Sequence, residues 1–142
     1  MKDGGVEMFV LVVGCSRVGA RLALQLAAEG HEVTVIDQRR ESFRRLGTEF
    51  PGKTVLGTGL DLDVLKRAGA ETADALVSVT NGDNINIVVA QIAKKHFGIP
   101  KVVARMYDPE RAAAYREMGM DVMCPTLIGS QLIKEKILGG GS

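Results

Sequence analysis

Short apolar segments alternate with longer segments of helical periodicity along the chain. The first, Met8 to Val13 (MFVLVV), is a continuous β-prone run, typical of a strand buried on both faces of a parallel sheet. Arg17 to Glu29 carries apolar residues at helical spacing, and Glu32 to Asp37 is the next strand. The same alternation predicts strands at 54–56, 75–79, 101–104 and 120–123, and helices at 39–48, 61–68, 83–97, 109–118 and 126–138.

This alternation predicts a doubly wound α/β fold, because parallel neighbours need crossover connections. Six strands suit a Rossmann-type sheet of order 3-2-1-4-5-6 in a three-layer single domain. We expect residues 8–138 to form this nucleotide-binding domain, with flexible tails at Met1 to Glu7 and Gly139 to Ser142. The terminal helix 126–138 has more apolar positions than one buried stripe requires, so we expect it to contact a neighbouring subunit.

Composition and charge argue against several classes of function. The formal net charge is +1, with no Trp and no basic stripe, so nucleic-acid binding is not expected. The apolar runs are far shorter than the roughly 18 residues that span a bilayer, and no signal peptide is recognisable, so direct membrane insertion is not expected. Cys15 and Cys124 form neither a disulfide framework nor a metal-ligand pattern, which favours a cytoplasmic protein without a metal site.

A glycine-rich turn, Gly14 to Gly19 (GCSRVG), lies between the first strand and the first helix. It matches the dinucleotide fingerprint G-x-G-x-x-G, with Ser16 at the second glycine position. Gly14 permits the tight turn, and Gly19 lets the helix approach the strand. Ser16 either crowds a pyrophosphate at the helix N-terminus or donates a hydrogen bond to it. Taken alone, the motif is also compatible with a tight strand–helix turn that binds nothing.

Asp37 ends the second predicted strand, 23 residues after Gly14. This is near the roughly 20-residue spacing of the carboxylate that binds ribose hydroxyls in dinucleotide-binding domains. A carboxylate there repels a 2′-phosphate, which favours NAD or a plain adenine nucleotide over NADP. Arg39 and Arg40 either hold a 2′-phosphate or form a solvated helix face. No nucleophile, base and orienting residue form a set, so we do not expect an enzyme.

Four stretches together resemble the KTN domain, also called the RCK N-terminal or TrkA-N domain, of Trk/Ktr-type potassium uptake systems and channels. They occur in the order and spacing of that family and cover most of the chain. The stretches are GCSRVGARLALQLAAEGHEVTVID, VLGTGLDLDVLKRAG, ADALVSVTNGDNINIVVA and VVARMYDPERAAAYREMGMDVMCP.

The resemblance implies that NAD(H) or an adenine nucleotide (ATP, ADP or AMP) binds at the carboxyl ends of the strands. Arg17 and Arg105 would pair with phosphate oxygens; the alternative is a helix-surface arginine and a strand-end arginine paired with Asp108. The residues implied are Gly14, Cys15, Ser16, Arg17, Val18 and Gly19 for the phosphates, Asp37 for the ribose with Gln38 and Arg39 beside it, Thr58, Gly59 and Leu60 for the adenine, Thr80 and Asn81 for the opposite wall, and Arg105 at the phosphate end.

The function implied is that of a cytoplasmic regulatory subunit or domain, held at the inner face of the cell membrane by a potassium-translocating partner. It would form a homo-oligomer, a dimer or larger, with the terminal helix crossing over to a neighbour. Thr126 follows Pro125, where family members that couple nucleotide to a divalent ion often carry an acidic residue. The alternative function is the NAD-binding domain of a dehydrogenase or redox sensor that lacks its catalytic half.

Overall fold

Six parallel strands form one sheet in the computed structural model, which describes residues 7–139 of the chain. The predicted tails lie outside the described residues, apart from Glu7 and Gly139. The strand order is β3-β2-β1-β4-β5-β6, which confirms the predicted topology. The strands are β1 (Phe9–Val13), β2 (Glu32–Asp37), β3 (Lys53–Leu56), β4 (Ala75–Ser78), β5 (Lys101–Arg105) and β6 (Asp121–Met123).

Helices cover both faces of this sheet and give the three layers expected. They are α1 (Arg17–Ala28), α2 (Leu62–Ala68), α3 (Asp83–Gln91), α4 (Pro109–Glu117) and α5 (Pro125–Leu138). Leu11 and Val13 of β1 belong to the core cluster that packs under α2 and α3, whereas Val10 and Val12 belong to the cluster under α1. Successive side chains of a strand point to opposite faces, which explains why the first apolar run is continuous.

Two predicted helices differ in type from the expectation. The charged segment 39–48 forms a 3-10 helix, Arg40–Leu46, of which only Leu46 is buried. The predicted helix 83–97 is α-helical only to Gln91 and continues as a π-helical turn, Ile92–His96, where the Phe97 N–H donates to the Ile92 carbonyl at 3.3 Å. Periodicity missed both, because tighter and wider helices also return every third to fifth residue to the same side.

The terminal helix α5 differs from the others in its burial. In the described part of the chain, none of its residues is buried. Its largest exposed apolar side chains are those of Leu132 (52%), Ile133 (59%), Ile137 (76%) and Leu138 (74%). Even so, no helix within residues 7–139 is long and apolar enough to cross a membrane. Exposed apolar side chains grouped in this way are typical of a surface that another molecule covers.

Candidate functional site

A cavity of about 610 Å³ opens at the carboxyl ends of β1, β2 and β4. It lies where the strand order reverses, because the chain leaves β1 toward β2 and leaves β4 toward β5 on the other side. The connections diverge at this point and leave a crevice, where doubly wound folds bind their ligands. The volume is within the range of small-molecule sites.

The cavity wall contains every residue that the sequence predicted for the site except two, Gly19 and Leu60. Leu60 lies in the loop after β3, where its N–H bonds to the Thr58 hydroxyl at 3.2 Å and its side chain is exposed. The wall also contains residues that were not predicted: Val13, Ile36, Ser42, Arg45, Gly57, Gly82, Ile85 and Tyr107.

Both glycines of the turn are required by close packing. Gly14 has φ +107°, and a Cβ there would lie 2.8 Å from the Thr80 nitrogen and the Val79 carbonyl carbon. A Cβ on Gly19 would lie 2.1 Å from the Gly14 carbonyl oxygen. Gly19 therefore packs α1 against the turn, as expected of the last fingerprint glycine. The same close packing explains why Gly19 is not part of the cavity wall.

Ser16 caps α1. Its hydroxyl donates to the Val79 carbonyl at 2.8 Å and accepts from the Gly19 N–H at 3.2 Å. A serine hydroxyl has one hydrogen, so in this arrangement Ser16 has none to donate to a ligand. The Arg17 and Val18 amides belong to the first helical turn, where N–H groups have no acceptor within the helix. The positive end of the helix dipole thus meets the cavity there.

Asp37 forms the acidic end of the site. Its Oδ2 accepts from the Cys15 N–H and its Oδ1 accepts from the Arg39 N–H, both at 2.8 Å. These two bonds hold the carboxylate against the glycine-rich turn. Each carboxylate oxygen has a further lone pair, so Asp37 can still accept from a ligand hydroxyl in the cavity.

Arg105 forms the basic end of the site, and it is only 3% exposed. Its Nη2 donates to the carbonyls of Val79 and Thr80, both at 3.0 Å, and its Nε has no hydrogen-bond partner among the described residues. Asp108 instead caps α4, accepting from the Glu110 N–H at 3.0 Å. A buried cation held by carbonyl oxygens favours an anion beside it, because uncompensated buried charge is costly.

Asn86, which the sequence analysis did not single out, joins the two walls beneath the cavity. It is fully buried on α3, and its Oδ1 accepts from the Thr80 hydroxyl at 2.6 Å and the Thr80 N–H at 2.8 Å. Its Nδ2 donates to the carbonyls of Thr80 and Arg105 at 2.9 and 3.0 Å. The only sequence signal was an amide between Ile85 and Ile87, and periodicity alone does not show that an amide is fully bonded.

The 3-10 helix Arg40–Leu46 contributes two further contacts to the turn. Arg45 donates to the Cys15 carbonyl at 3.0 Å, and the Cys15 thiol donates to the Ser42 carbonyl at 3.2 Å. Burial, and then the Asp37 carboxylate, raise the pKa of Cys15 to about 11, against the opposing effect of Arg45. The thiol is thus protonated at neutral pH. Across residues 7–139, no three His, Cys, Asp or Glu side chains are grouped to hold a metal ion.

The curated proteins that are similar to this chain include Trk system potassium uptake proteins. The chain is 42% identical over 135 residues to the Trk system potassium uptake protein TrkA of Streptomyces coelicolor, a match that covers 95% of this chain and 60% of the relative. The Trk system potassium uptake protein TrkA homolog of Methanothermobacter thermautotrophicus is 32% identical over 114 residues, or 80% of this chain and 52% of the relative. The chain therefore spans between half and two thirds of the length of these relatives.

A solved structure and a family description agree with these relatives. The Kef CTD of Shewanella denitrificans in its AMP-bound form superposes with a TM-score of 0.77 at 25% identity, covering 94% of this chain and 83% of that one. Residues 10–125 match the TrkA-N domain. Fold, glycine-rich turn and sequence all lead to the same conclusion, which confirms the resemblance: the chain belongs to the TrkA-N domain family.

Proposed function

We propose that this chain binds an adenine-containing nucleotide and acts as a nucleotide-sensing regulatory domain, not as an enzyme. One observation carries the proposal: a single cavity has an anion-binding end, formed by the α1 N-terminus and buried Arg105, and a hydroxyl-binding end at Asp37. A nucleotide has phosphates and ribose hydroxyls in that relation. The AMP-bound state of the related Kef CTD supports an adenine nucleotide.

The ligand that fits this charge distribution is NAD(H) or ATP, ADP or AMP. Asp37 already holds two backbone N–H groups, so its carboxylate is fixed where a 2′-phosphate would be repelled. We therefore expect NADP to bind more weakly than NAD. Arg17 in the wall offers a second cation for terminal phosphate oxygens, which charge-assisted hydrogen bonds would favour.

The regulatory part of the proposal rests on the names of the curated relatives, which are potassium uptake proteins. We propose that this domain lies at the inner face of the cell membrane and controls a potassium-translocating subunit. Nucleotide must bind one arrangement of the domain more tightly than another, since equal affinity for both would shift neither. The domain would thus convert nucleotide occupancy into a change of shape.

A homo-oligomer, at least a dimer, would cover the exposed apolar side chains of α5, and we propose that this helix crosses over to a second copy of the chain. Size-exclusion chromatography with light scattering tests this. The unmodified chain should elute as a dimer or larger species, and Ile133→Glu should shift it toward the monomer. A strict monomer whose mass is unchanged by Ile133→Glu would contradict the proposal.

Nucleotide binding is tested by calorimetric titration with NAD, NADH, NADP, ATP, ADP and AMP. At least one of them should bind with a Kd below about 1 mM, which is about −4 kcal/mol. Asp37→Ala should weaken that binding by about 1–2 kcal/mol through lost charge-assisted hydrogen bonds. The nucleotide affinity of Asp37→Asn should lie between those of the unmodified chain and Asp37→Ala, because asparagine keeps one acceptor oxygen. Asp121→Ala, which removes an exposed carboxylate on β6 away from the cavity, is the control.

Two results of this titration would contradict the proposal. If no nucleotide binds below millimolar concentration, this chain is not a nucleotide sensor. If binding occurs but Asp37→Ala does not alter it, the ribose lies elsewhere.

A further inference from the structure

Side chains at the start of α5 are hydrogen-bonded to the loop that follows β5. The Thr126 hydroxyl donates to the Tyr107 carbonyl at 3.0 Å, and the thiol of Cys124, the residue that precedes α5, donates to the same oxygen at 3.6 Å. None of the described residues of α5 is buried. A single carbonyl, that of Tyr107, therefore receives both of these side-chain contacts from the beginning of the helix.

The Tyr107 backbone is also held from its other side. Its N–H donates to one carboxylate oxygen of Asp83 at 2.9 Å, and the next N–H, that of Asp108, donates to the other oxygen at 3.1 Å. Asp83 is the first residue of α3. The loop after β5 is thus fixed between the first turns of α3 and α5, so a displacement of Tyr107 must disturb one of these two attachments.

Tyr107 also lines the cavity, and its side chain contacts Arg105. The ring centroid lies 4.9 Å from the Arg105 guanidinium carbon. At this distance the ring face attracts the cation. The buried Nε of Arg105 has no hydrogen-bond partner in the described structure. An anion that enters the cavity should therefore attract the guanidinium and move it toward the anion. Any such movement changes the contact between guanidinium and ring.

We propose that Tyr107 is a positioning residue that couples nucleotide occupancy of the cavity to the attachment of the first turn of α5. The ring responds to Arg105, and the carbonyl of the same residue holds Thr126 and Cys124. This inference rests on the proposed nucleotide binding and adds to it the route by which binding reaches the exposed helix. Thr126 does not line the cavity, so its contribution can be removed without changing the ligand contacts.

Hydrogen exchange of the α5 amides, followed by NMR on the full chain, tests the coupling. The amides of residues 128–132 report on the first turn, since the Ile128 N–H donates to the Cys124 carbonyl at 3.1 Å. Saturating AMP and, in a parallel arm, saturating NAD should each be compared with the unliganded chain. At least one ligand should change these exchange rates by about fivefold, the lower end of ordinary coupling between sites.

Variants then separate coupling from stability. Thr126→Val should reduce the ligand-induced change to about twofold or less while AMP and NAD still bind. Ser130→Ala is the matched control, because it removes a hydroxyl on the same helix that bonds only locally, to the Leu127 carbonyl at 3.2 Å. It should respond like the unmodified chain. Tyr107→Leu should lose the response, and Tyr107→Phe, which keeps the ring, should restore it.

The possible failures are distinguishable. If neither AMP nor NAD binds the unmodified chain, the proposed function and this inference fall together. If a nucleotide binds but the exchange of residues 128–132 does not change, or if Thr126→Val responds fully, the coupling through Tyr107 is refuted and nucleotide binding stands.

Discussion

Two helices that each follow a parallel strand of the same sheet, α1 and α5, have opposite relations to the rest of the chain. α1 buries Gly19, Ala20 and Ala23 and is capped by the Ser16 side chain. α5 has no buried residue in the described structure, and Cys124 before it makes no side-chain cap bond. Both helices nevertheless contain apolar residues and a glycine. Hydrophobic content alone therefore does not place a helix in the core of its own chain.

The difference lies in what completes each helix. α1 packs against the sheet of its own chain. The amides at its N-terminus that have no acceptor within the helix favour an anion beside them. α5 leaves apolar side chains in solvent, so its need is for an apolar surface. A ligand site and a docking surface can therefore be recognised in the same way. Each contains groups whose interactions the chain itself does not complete.

The largest expected effect breaks the packing of α1. Gly19→Ala places a methyl group 2.1 Å from the Gly14 carbonyl oxygen, which α1 can avoid only by moving away from the turn. We expect the free energy of unfolding to fall by about 3 kcal/mol, the upper range for overpacked sites, with loss of nucleotide binding. Chemical denaturation measures the change. A loss below about 1 kcal/mol would show that α1 is less tightly packed than described.

A smaller effect is expected from the cap of the same helix. Ser16→Ala removes the bond to the Val79 carbonyl and the bond from the Gly19 N–H. We expect a loss of about 1–2 kcal/mol in unfolding free energy, as for other N-cap serines. Since Ser16 has no hydrogen left for a ligand, nucleotide affinity should change by less than tenfold under conditions where the variant is folded. A larger loss of affinity would show that the hydroxyl contacts the phosphates.

The glycine-to-alanine change in α5 that corresponds to Gly19→Ala should raise the free energy of unfolding instead of lowering it. A Cβ on Gly129 meets nothing within 4 Å, so Gly129→Ala adds no clash and reduces the backbone entropy lost on folding. We expect stabilisation by about 0.5–1 kcal/mol, the ordinary difference between glycine and alanine in a helix. Denaturation of Gly19→Ala and Gly129→Ala in parallel makes the comparison. Destabilisation by Gly129→Ala would contradict this expectation and would show that the second copy proposed to cover α5 approaches the helix closely at Gly129.

The last effect concerns the thiol beside α1; it is absent at neutral pH and appears only at high pH. The pKa of Cys15 is about 11 in the folded chain against 9.0 for an ordinary thiol, so between these values the unfolded state loses the proton first. The contribution of Cys15 to stability is therefore complete below about pH 9 and is lost as the pH rises toward 11. The difference in unfolding free energy between the unmodified chain and Cys15→Ala should change only over that interval.

Much of the site was predictable, because it depends on local chemistry. A glycine that permits a tight turn and a carboxylate at a strand end are recognisable from residue type and spacing, as Gly14 and Asp37 show. The cap formed by Ser16 was not predicted, because its position in the fingerprint pointed to the ligand instead. The contacts of Arg45 and Asn86 were not predictable. Arg45 stands in a charged segment that also suits a solvated surface, and Asn86 stands among apolar residues. Only the folded chain brings their partners, Cys15 and Arg105, within hydrogen-bond distance.

The amino-acid sequence by itself determined the alternation of elements, the parallel sheet with its order, and the glycine-rich turn and the carboxylate that line the cavity. These follow from periodicity, crossover geometry and residue chemistry, all of which act over short stretches of chain. Tertiary structure alone decided that Asn86 bonds to both Thr80 and Arg105 and that Arg45 contacts the glycine-rich turn. It also decided that Tyr107 contacts both the cavity and α5. Each of these depends on distances between residues far apart in the chain, which local pattern does not encode.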